Sequence, residues 1–185
     1  MIEIPEDIIR KAAQGDPAAF EAIYRTHGRF VFNVARRIVR TSDDAEEVTQ
    51  EVFILLHRKL RSFGFHSSLK TWVYRITINT AINMSKKWTK ERANTVKYED
   101  WMDSPVSSQT HDDIDRDYHE KTVDALLHSL TPDHRACIVL RNIEGLSYQE
   151  IAEVMNININ TVRSRLKRAR EVLMNLRKKV MSHEM

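Results

Sequence analysis

Residues 147–170 read SYQEIAEVMNININTVRSRLKRAR, and this stretch predicts two short helices joined by a turn. Ser147 and Glu150 have the S-x-x-E spacing of a capping box, in which two side chains satisfy free amides at the start of a helix. Asn156 falls where the chain must turn, and asparagine adopts the left-handed conformation more readily than most residues. We expect Asn160 to cap the second helix.

The second helix of this pair has two contrasting faces. One face is apolar and carries Val162, Leu166, Ala169 and Leu173. Another face is cationic and carries Arg163, Lys167 and Arg170. A helix pair that buries an apolar stripe and presents Arg and Lys to solvent is typical of a helix-turn-helix DNA reader. The pattern therefore predicts DNA as a ligand.

The composition indicates a soluble, all-α protein. The chain has 185 residues, of which 42% are hydrophobic and 30% charged, and it contains only four Gly and four Pro. One Cys cannot form an intrachain disulfide, so a reducing compartment, the cytoplasm, is expected. The acidic N-terminus does not have the pattern of a signal peptide, and no uncharged apolar run is long enough to span a membrane.

The charge is unevenly distributed along the chain. Residues 1–94 carry a net charge of +5, residues 95–120 carry −6, and residues 121–185 carry +4. Two basic blocks around an acidic strip predict two modules that face nucleic acid, although the strip could be only a solvated connector. We expect two small helical domains, residues 1–93 and 119–185, joined by an extended acidic linker, residues 94–118. The helix-turn-helix belongs to the second domain.

Local signals predict further helices. Asp16 before Pro17 predicts a helix that starts at residue 17 and whose apolar pattern includes Phe20, Ile23 and Tyr24. Thr41 and Asp44 have the spacing of another helix start. A short helix is also expected around 119–129.

A helix predicted from Asp43 to Arg61 carries acidic residues beside an isoleucine. Its second face contains Glu47, Gln50, Glu51 and Ile54. Carboxylates that meet a basic partner around a desolvated Ile would form a protein-docking surface. The alternative is that the acidic residues only complement the helix dipole.

A second long helix, predicted from Leu69 to Arg92, carries amides among cations. One face presents Arg75, Asn79, Asn83, Lys86 and Lys90, with Lys87 beside them. Such side chains read bases and hold phosphates. The loop before this helix contains Phe63, Phe65 and His66, which can stack on unpaired bases. The alternative for the two phenylalanines is packing against the core.

The sequence does not predict an enzyme. His134 and Cys137 have a spacing that can share a metal ion, but nothing nearby completes a ligand set, and Cys137 reads as a small buried residue. We find no phosphate loop, nucleotide fingerprint or nucleophile elbow. No catalytic residue, metal or cofactor is therefore expected.

Three groups of motifs resemble those of extracytoplasmic-function (ECF) sigma factors of the sigma-70 family. Residues 44–53, DAEEVTQEVF, resemble the family's core-polymerase-binding motif. LKTWVYRI at 69–76 and NTAIN at 79–83 resemble its promoter-melting segment. Residues 130–132, 146–152 and 161–170 resemble its second domain. The resemblance covers nearly the whole chain, with the motifs in the family's order.

The resemblance implies an alternative sigma factor that directs bacterial RNA polymerase to a stress or surface-response regulon. The core enzyme would be bound by residues of the first motif, namely Asp44, Glu47, Val48, Gln50, Glu51, Phe53 and Ile54. The acidic linker would enter the polymerase channels. An anti-sigma factor would cover the same surfaces in the silenced state.

The same resemblance implies two DNA sites. The melted minus-ten element would be bound by Phe63, Phe65, His66, Lys70, Trp72, Arg75, Asn79, Asn83, Lys86 and Lys87. The double-stranded minus-thirty-five element would be bound by Ser147, Asn160, Thr161, Arg163, Ser164, Arg165, Lys167, Arg168 and Arg170.

The alternative is a stand-alone helix-turn-helix transcriptional regulator that uses only the second domain. Such a regulator would not need an acidic docking helix followed by an aromatic loop and a basic amide stripe. The first half of the chain therefore distinguishes the two hypotheses.

Overall fold

The computed structural model describes residues 4–95 and 123–183, with side chains for 4–92 and 123–178. The first half consists of four helices and a 3-10 turn: α1 Glu6–Ala13, α2 Pro17–Arg36, α3 Ser42–Lys59, the turn Leu60–Ser62 and α4 Leu69–Thr95. The second half contains α5, described at 123–128, and then α6 Pro132–Ile138, a π-helical turn Val139–Ile143, α7 Tyr148–Met155 and α8 Ile159–His183. The all-α prediction is confirmed for these residues.

The predicted linker, 94–118, lies outside the described residues except for its first two positions. Asn94 and Thr95 are helical and belong to α4, so the helix runs slightly further than predicted. The predicted helix at 119–129 is described only from residue 123. Among the described helices, none is both long and apolar enough to cross a membrane.

The helix starts in the first half follow the predicted local chemistry. Asp16 Oδ1 accepts hydrogen bonds from the amides of Ala18 and Ala19 at 2.9 and 3.1 Å, and Pro17 opens α2. A capping box opens α3, because Thr41 Oγ1 accepts from the Asp44 amide at 3.0 Å while Asp44 Oδ2 accepts from the Thr41 amide at 3.3 Å. Both starts are confirmed.

The turn of the helix-turn-helix also forms as predicted. Ser147 Oγ accepts from the Glu150 amide at 3.2 Å, and Glu150 Oε2 accepts from the Ser147 amide at 2.7 Å. Asn156 is left-handed, with φ 52° and ψ 51°, and ends α7. These contacts set where α7 begins and where it ends.

The predicted cap of the last helix is wrong. The helix α8 already begins at Ile159, and Asn158 Oδ1 accepts from the Asn160 amide at 2.8 Å. The side chain of Asn160 instead accepts from Arg163 Nη1 at 2.9 Å. Asn158 therefore serves as the cap, because its side chain reaches the free amide two residues ahead.

The core of the first half forms where α2, α3 and α4 pack together. The side chains with almost no exposure include Ile23, Val31, Val34, Val48, Val52, Leu56, Val73 and Ile78. The predicted helix from residue 17 also placed Tyr24 in its apolar pattern, but Tyr24 is 51% exposed. Its ring packs by one edge on Phe53, with centroids 4.7 Å apart, and the rest faces solvent.

The core of the second half joins α6, α7 and α8. Cys137, Leu140, Ile151, Val162, Leu166 and Ala169 are almost completely buried. Burial raises the pKa of the Cys137 thiol to about 11, and its Sγ lies 3.5 Å from Met155 Sδ. The prediction that Cys137 acts as a small buried residue is therefore confirmed.

The two halves contact each other through α4, which packs against α6 and α7. Arg135, only 3% exposed, lies at this junction. It donates to the carbonyls of Leu127 at 2.8 Å and Leu130 at 3.0 Å, and also to the carbonyl of Ile38 in the first half. The Arg135 guanidinium therefore links the segment before α6 to the segment that follows α2.

Candidate protein-docking and nucleic-acid surfaces

The acidic face of α3 lies at the surface. Glu47 and Gln50 are exposed, Glu51 is partly exposed, and Ile54 is 45% exposed. An exposed isoleucine beside carboxylates is suited to a partner that brings both apolar and cationic groups. Tyr24 extends the apolar part of this surface onto α2 through its contact with Phe53. The periodic pattern missed Tyr24 because it treats every aromatic residue as a core residue.

Three other residues assigned to polymerase binding lie in the interior. Val48 has no exposure, Phe53 is 7% exposed and Asp44 is 9% exposed. Asp44 belongs to the capping box of α3 and also accepts from Arg92 Nη2 at 3.1 and 3.2 Å. Direct contact with a partner is not available to these side chains in this structure. They hold α3 in place, so the motif mixes contact residues with packing residues.

The aromatic loop packs against the protein more than predicted. Phe63 is 8% exposed, and its ring centroid lies 4.9 Å from that of Trp72 and 4.8 Å from that of Phe65. Phe65 has a φ of 55° and lies under the guanidinium of Arg10, 4.5 Å from the ring centroid. The packing alternative therefore holds for Phe63, whereas Phe65 and the exposed His66 keep accessible surface.

A cavity of about 520 Å³ lies between this loop and the start of α1. Ile4, His27, Phe63 and Phe65 are among its lining residues, together with Lys70. His27 is 3% exposed, and its Nδ1 has no hydrogen-bond partner among the described residues. Burial and the charge of Lys70 lower the pKa of His27, which favours the neutral ring.

His27 was missed by the sequence reasoning. It stands four residues after Ile23 and four before Val31, so it shares the buried face of α2. Its position on the apolar face of an amphipathic helix could have identified His27 as a candidate, because a buried polar side chain requires a hydrogen-bond partner. The cavity is lined by aromatic side chains and by this buried histidine, whose Nδ1 has no hydrogen-bond partner among the described residues. A planar ring with hydrogen-bonding groups on its edge could stack on the aromatic side chains and bond to that nitrogen.

The basic stripe of α4 is partly exposed and partly engaged. Asn83, Lys86 and Lys87 are exposed, while Arg75 and Asn79 are half-buried. Lys86 Nζ lies 2.6 Å from Asp133 Oδ2 in the second half of the chain. The stripe is therefore a cationic surface with one of its lysines directed toward an internal carboxylate.

The helix α8 presents most of its predicted cations to solvent. Arg163, Ser164, Lys167, Arg168 and Arg170 have exposed side chains, opposite the buried Val162, Leu166 and Ala169. Ser147 and Asn160 are engaged in local hydrogen bonds, and Thr161 is half-buried. Arg165 differs from its neighbours, because its Nη2 lies 2.9 Å from Asp133 Oδ1.

The remaining candidate, a metal site at His134 and Cys137, lacks a ligand set. Within residues 4–92 and 123–178, no group of three His, Cys, Asp or Glu side chains is close enough to hold a metal ion. The pKa of His134 is lowered by burial and by the charge of Arg165.

Comparison with known proteins matches both halves of this arrangement. Residues 23–91 match the family Sigma-70 region 2, and residues 120–173 match the family Sigma-70, region 4. The chain is 33% identical to the RNA polymerase sigma-H factor of Pseudomonas aeruginosa over 183 residues, which cover 92% of each chain. It is 34% identical to the ECF RNA polymerase sigma-E factor of Haemophilus influenzae over 176 residues, or 91% of this chain and 92% of the relative.

A solved structure has a similar fold. The sigma factor RpoE from Bartonella quintana, determined in complex with the anti-sigma factor NepR, superposes with a TM-score of 0.60 at 25% identity. The superposition covers 86% of this chain and 96% of that one. Since the matches span both halves and include relatives above 30% identity, this chain belongs to the ECF sigma factors of the sigma-70 family.

Proposed function

We propose that the chain starts promoter-specific transcription by joining RNA polymerase core enzyme in the cytoplasm, through three separate surfaces and without a catalytic residue of its own. The observation that carries this proposal is the presence, on one chain, of an exposed acidic docking face on α3 and two cationic surfaces on α4 and α8. A stand-alone helix-turn-helix regulator would need only the last of these surfaces.

The acidic face of α3 would bind the core enzyme. Glu47, Gln50 and Glu51 supply the polar contacts, and Ile54 supplies an apolar contact at the centre. Tyr24 enlarges the apolar area. Charged residues around a small apolar centre orient a partner and limit the number of wrong complexes.

The loop and the α4 stripe would bind the opened minus-ten element. Lys70, Asn79, Asn83, Lys86 and Lys87 offer cations and amides for the strand, and the cavity beneath the loop would take one unpaired base. Free energy for opening the duplex would come from stacking and gripping unpaired bases.

The exposed cations of α8 would read the minus-thirty-five element in the major groove. Arg163 lies nearest the start of α8, where residues of a recognition helix usually reach base edges. Lys167 is the second candidate for base contacts. Arg165, Arg168 and Arg170 would hold phosphates, which provide affinity without sequence preference.

An anti-sigma factor is the proposed regulatory partner. Support comes from the structural relative RpoE, which was determined with the anti-sigma factor NepR. Such a partner would cover the surfaces that the polymerase and the promoter use.

The test is assembly of a holoenzyme from this chain and purified core polymerase, followed by run-off transcription from a genomic promoter library. The double variant Glu47→Lys/Glu51→Lys should lose core binding while remaining folded, because exposed substitutions usually change stability by within about 0.5 kcal/mol. The control is Asp7→Lys/Glu153→Lys, which makes the same charge change at exposed sites on α1 and α7.

Retained core binding by the folded Glu47→Lys/Glu51→Lys variant would contradict the docking assignment. Promoter binding by the chain alone, with no core complex and no transcript, would instead support the stand-alone regulator.

A further inference from the structure

Phe65 adopts a backbone conformation that a bulky residue rarely takes. Its φ is 55°, in the left-handed region, whereas residues with large side chains strongly prefer negative φ. Conformations of this kind persist only where surrounding contacts hold them, and they concentrate at functional sites. The contacts of Phe65 therefore indicate what the loop before α4 is arranged to do.

Two aromatic-face contacts hold the Phe65 ring. The ring of the buried Phe63 lies with its centroid 4.8 Å from that of Phe65. The guanidinium of Arg10, on α1, lies 4.5 Å from the Phe65 centroid. A cation over the face of an aromatic ring is attracted by the negative charge of that face. Arg10 therefore holds the loop from a helix that lies far away in the sequence.

The helix α1 is fixed in place without the help of Phe65. It packs against α2 and against the 3-10 turn that precedes the loop. Arg61 Nε donates to the carbonyl of Ala13 at 3.2 Å, which ties the end of α1 to that turn. Glu6 Oε2 lies 3.4 Å from Arg10 Nη2, one helical turn away, and orients the guanidinium. Arg10 is thus a cation on an anchored helix.

The cavity assigned above to an unpaired base lies between α1 and this loop. Ile9 lines it from α1, while Phe65 and Ser67 line it from the loop. Phe65 therefore forms part of the cavity wall and also contacts Arg10. The position of that wall depends on the Arg10 contact. Because the role of the cavity belongs to the proposed function, the inference about Arg10 rests on that function.

We propose that Arg10 is a positioning residue for promoter opening, which holds Phe65 from α1 so that the cavity for an unpaired base is formed before DNA arrives. Without this contact the free loop samples other conformations, and capture of the base must order the loop as well. Arg10 acts through the Phe65 ring and not on the DNA. Its loss should therefore slow opening of the duplex and leave binding to core enzyme unchanged.

The first experiment measures the loop in the full chain without DNA. Arg10→Met removes the cation, Arg10→Lys keeps one, and Lys11→Met is the matched control. Lys11 is an exposed cation on the same helix and pairs with Asp7 across one turn at 3.9 Å, much as Arg10 pairs with Glu6. Backbone order parameters come from ¹⁵N relaxation, and circular dichroism confirms folding.

We expect the order parameter of the Phe65 amide to fall from about 0.85 toward about 0.6 in Arg10→Met, and to stay near the wild-type value in Lys11→Met and Arg10→Lys. Equal order parameters in Arg10→Met and Lys11→Met would overturn the inference.

The second experiment measures promoter opening by holoenzymes that contain the same variants. Permanganate footprinting follows opening on a promoter recovered by the run-off screen, and a gel shift measures core binding. We expect opening by Arg10→Met to be about threefold slower than by Lys11→Met, the size of effect that one exposed cation–π contact supports, with equal core binding. Arg10→Lys should restore most of the rate. Equal opening rates for Arg10→Met and Lys11→Met would overturn the inference.

A double variant tests whether Arg10 acts through the ring. In a Phe65→Leu background, Arg10→Met should cause no further loss of opening rate, because the ring that the cation contacts is already absent. A further threefold loss would mean that Arg10 contacts the strand directly and would overturn the inference. Failure of the wild-type holoenzyme to open any promoter would instead overturn the proposed function.

Discussion

At the scale of single residues, burial decides which chemistry a side chain offers. Asp44 and Glu47 stand three positions apart in the same acidic motif, but Asp44 is 9% exposed and held by Arg92, whereas Glu47 faces solvent. His27 and His66 both lie near the aromatic loop, but only His27 is buried. A residue's type therefore suggests its chemistry, and its exposure determines whether a partner can use it.

We expect His27 to make stability depend on pH. The pKa of the folded-state ring lies below its ordinary value of 6.5, so on acidification the unfolded chain takes up a proton before the folded chain does. The unfolding free energy should be fully present above about pH 6.5 and should fall as the pH drops below it. His27→Gln should make this fall shallower between about pH 7 and pH 5, as measured by urea unfolding.

His57→Gln, which makes the same substitution at an exposed histidine on α3, provides the matched control. Part of the decrease in unfolding free energy on acidification should persist in His27→Gln, because the pKa of His134 is lowered too. Identical slopes for His27→Gln and the wild type would contradict the prediction.

We expect Arg163 to determine base preference at one position of the upstream element. Loss of a base-reading arginine removes about 1–3 kcal/mol of discrimination, so Arg163→Ala should bind variants of that base pair with similar affinities. The measurement is holoenzyme binding to single-base variants of the element. Arg168→Ala is the comparison, and it should weaken binding to every variant and reduce the salt dependence. Equal weakening of all variants by Arg163→Ala would place base reading on another residue.

At the scale of elements, local capping chemistry sets where helices begin and how they turn. The box at Ser147 starts α7, and the left-handed Asn156 ends it. Asn158 then caps α8, so the chain needs only three residues outside the helices, 156–158, to reverse direction. The orientation of α8, and with it the direction of its cations, follows from this short turn.

We expect Asn156→Ala to destabilise the protein by about 1–2 kcal/mol, because a Cβ is disfavoured in the left-handed conformation and alanine lacks the amide that eases it in asparagine. Asn156→Gly should be neutral or stabilising at the same position, since glycine adopts positive φ freely. Urea unfolding monitored by circular dichroism measures both. Equal stability of the alanine and glycine variants would show that the turn is not under this constraint.

At the scale of the whole molecule, α4 joins the two halves. It packs against α2 and α3 on one side and contacts α6 and α7 on the other. Charge pairs and the buried Arg135 complete the junction. These contacts between the halves therefore contribute to the stability of the whole chain.

We expect Arg135→Met to lower the unfolding free energy by roughly 2–4 kcal/mol, because buried carbonyls would lose their donors. Burial lowers the pKa of Arg135 only to about 10, so the guanidinium is still charged and donating at neutral pH. Thermal and urea unfolding measure the loss.

The control for this prediction is Arg141→Met. Arg141 is exposed and donates to the Leu146 carbonyl at 2.9 Å, so its replacement should cost about 1 kcal/mol or less. A loss below about 1 kcal/mol for Arg135→Met would mean that the carbonyls find other donors.

The sequence by itself determined the features that depend on near neighbours. The starts of α2, α3 and α7, the turn at Asn156 and the opposed faces of α8 all result from side chains that act within a few residues, so a short pattern predicts them. The tertiary structure alone decided that Val48 and Phe53 are packing residues. It also placed His27 at a cavity and brought Lys86 and Arg165 to Asp133. These outcomes depend on packing between segments far apart in the chain, which local periodicity does not encode.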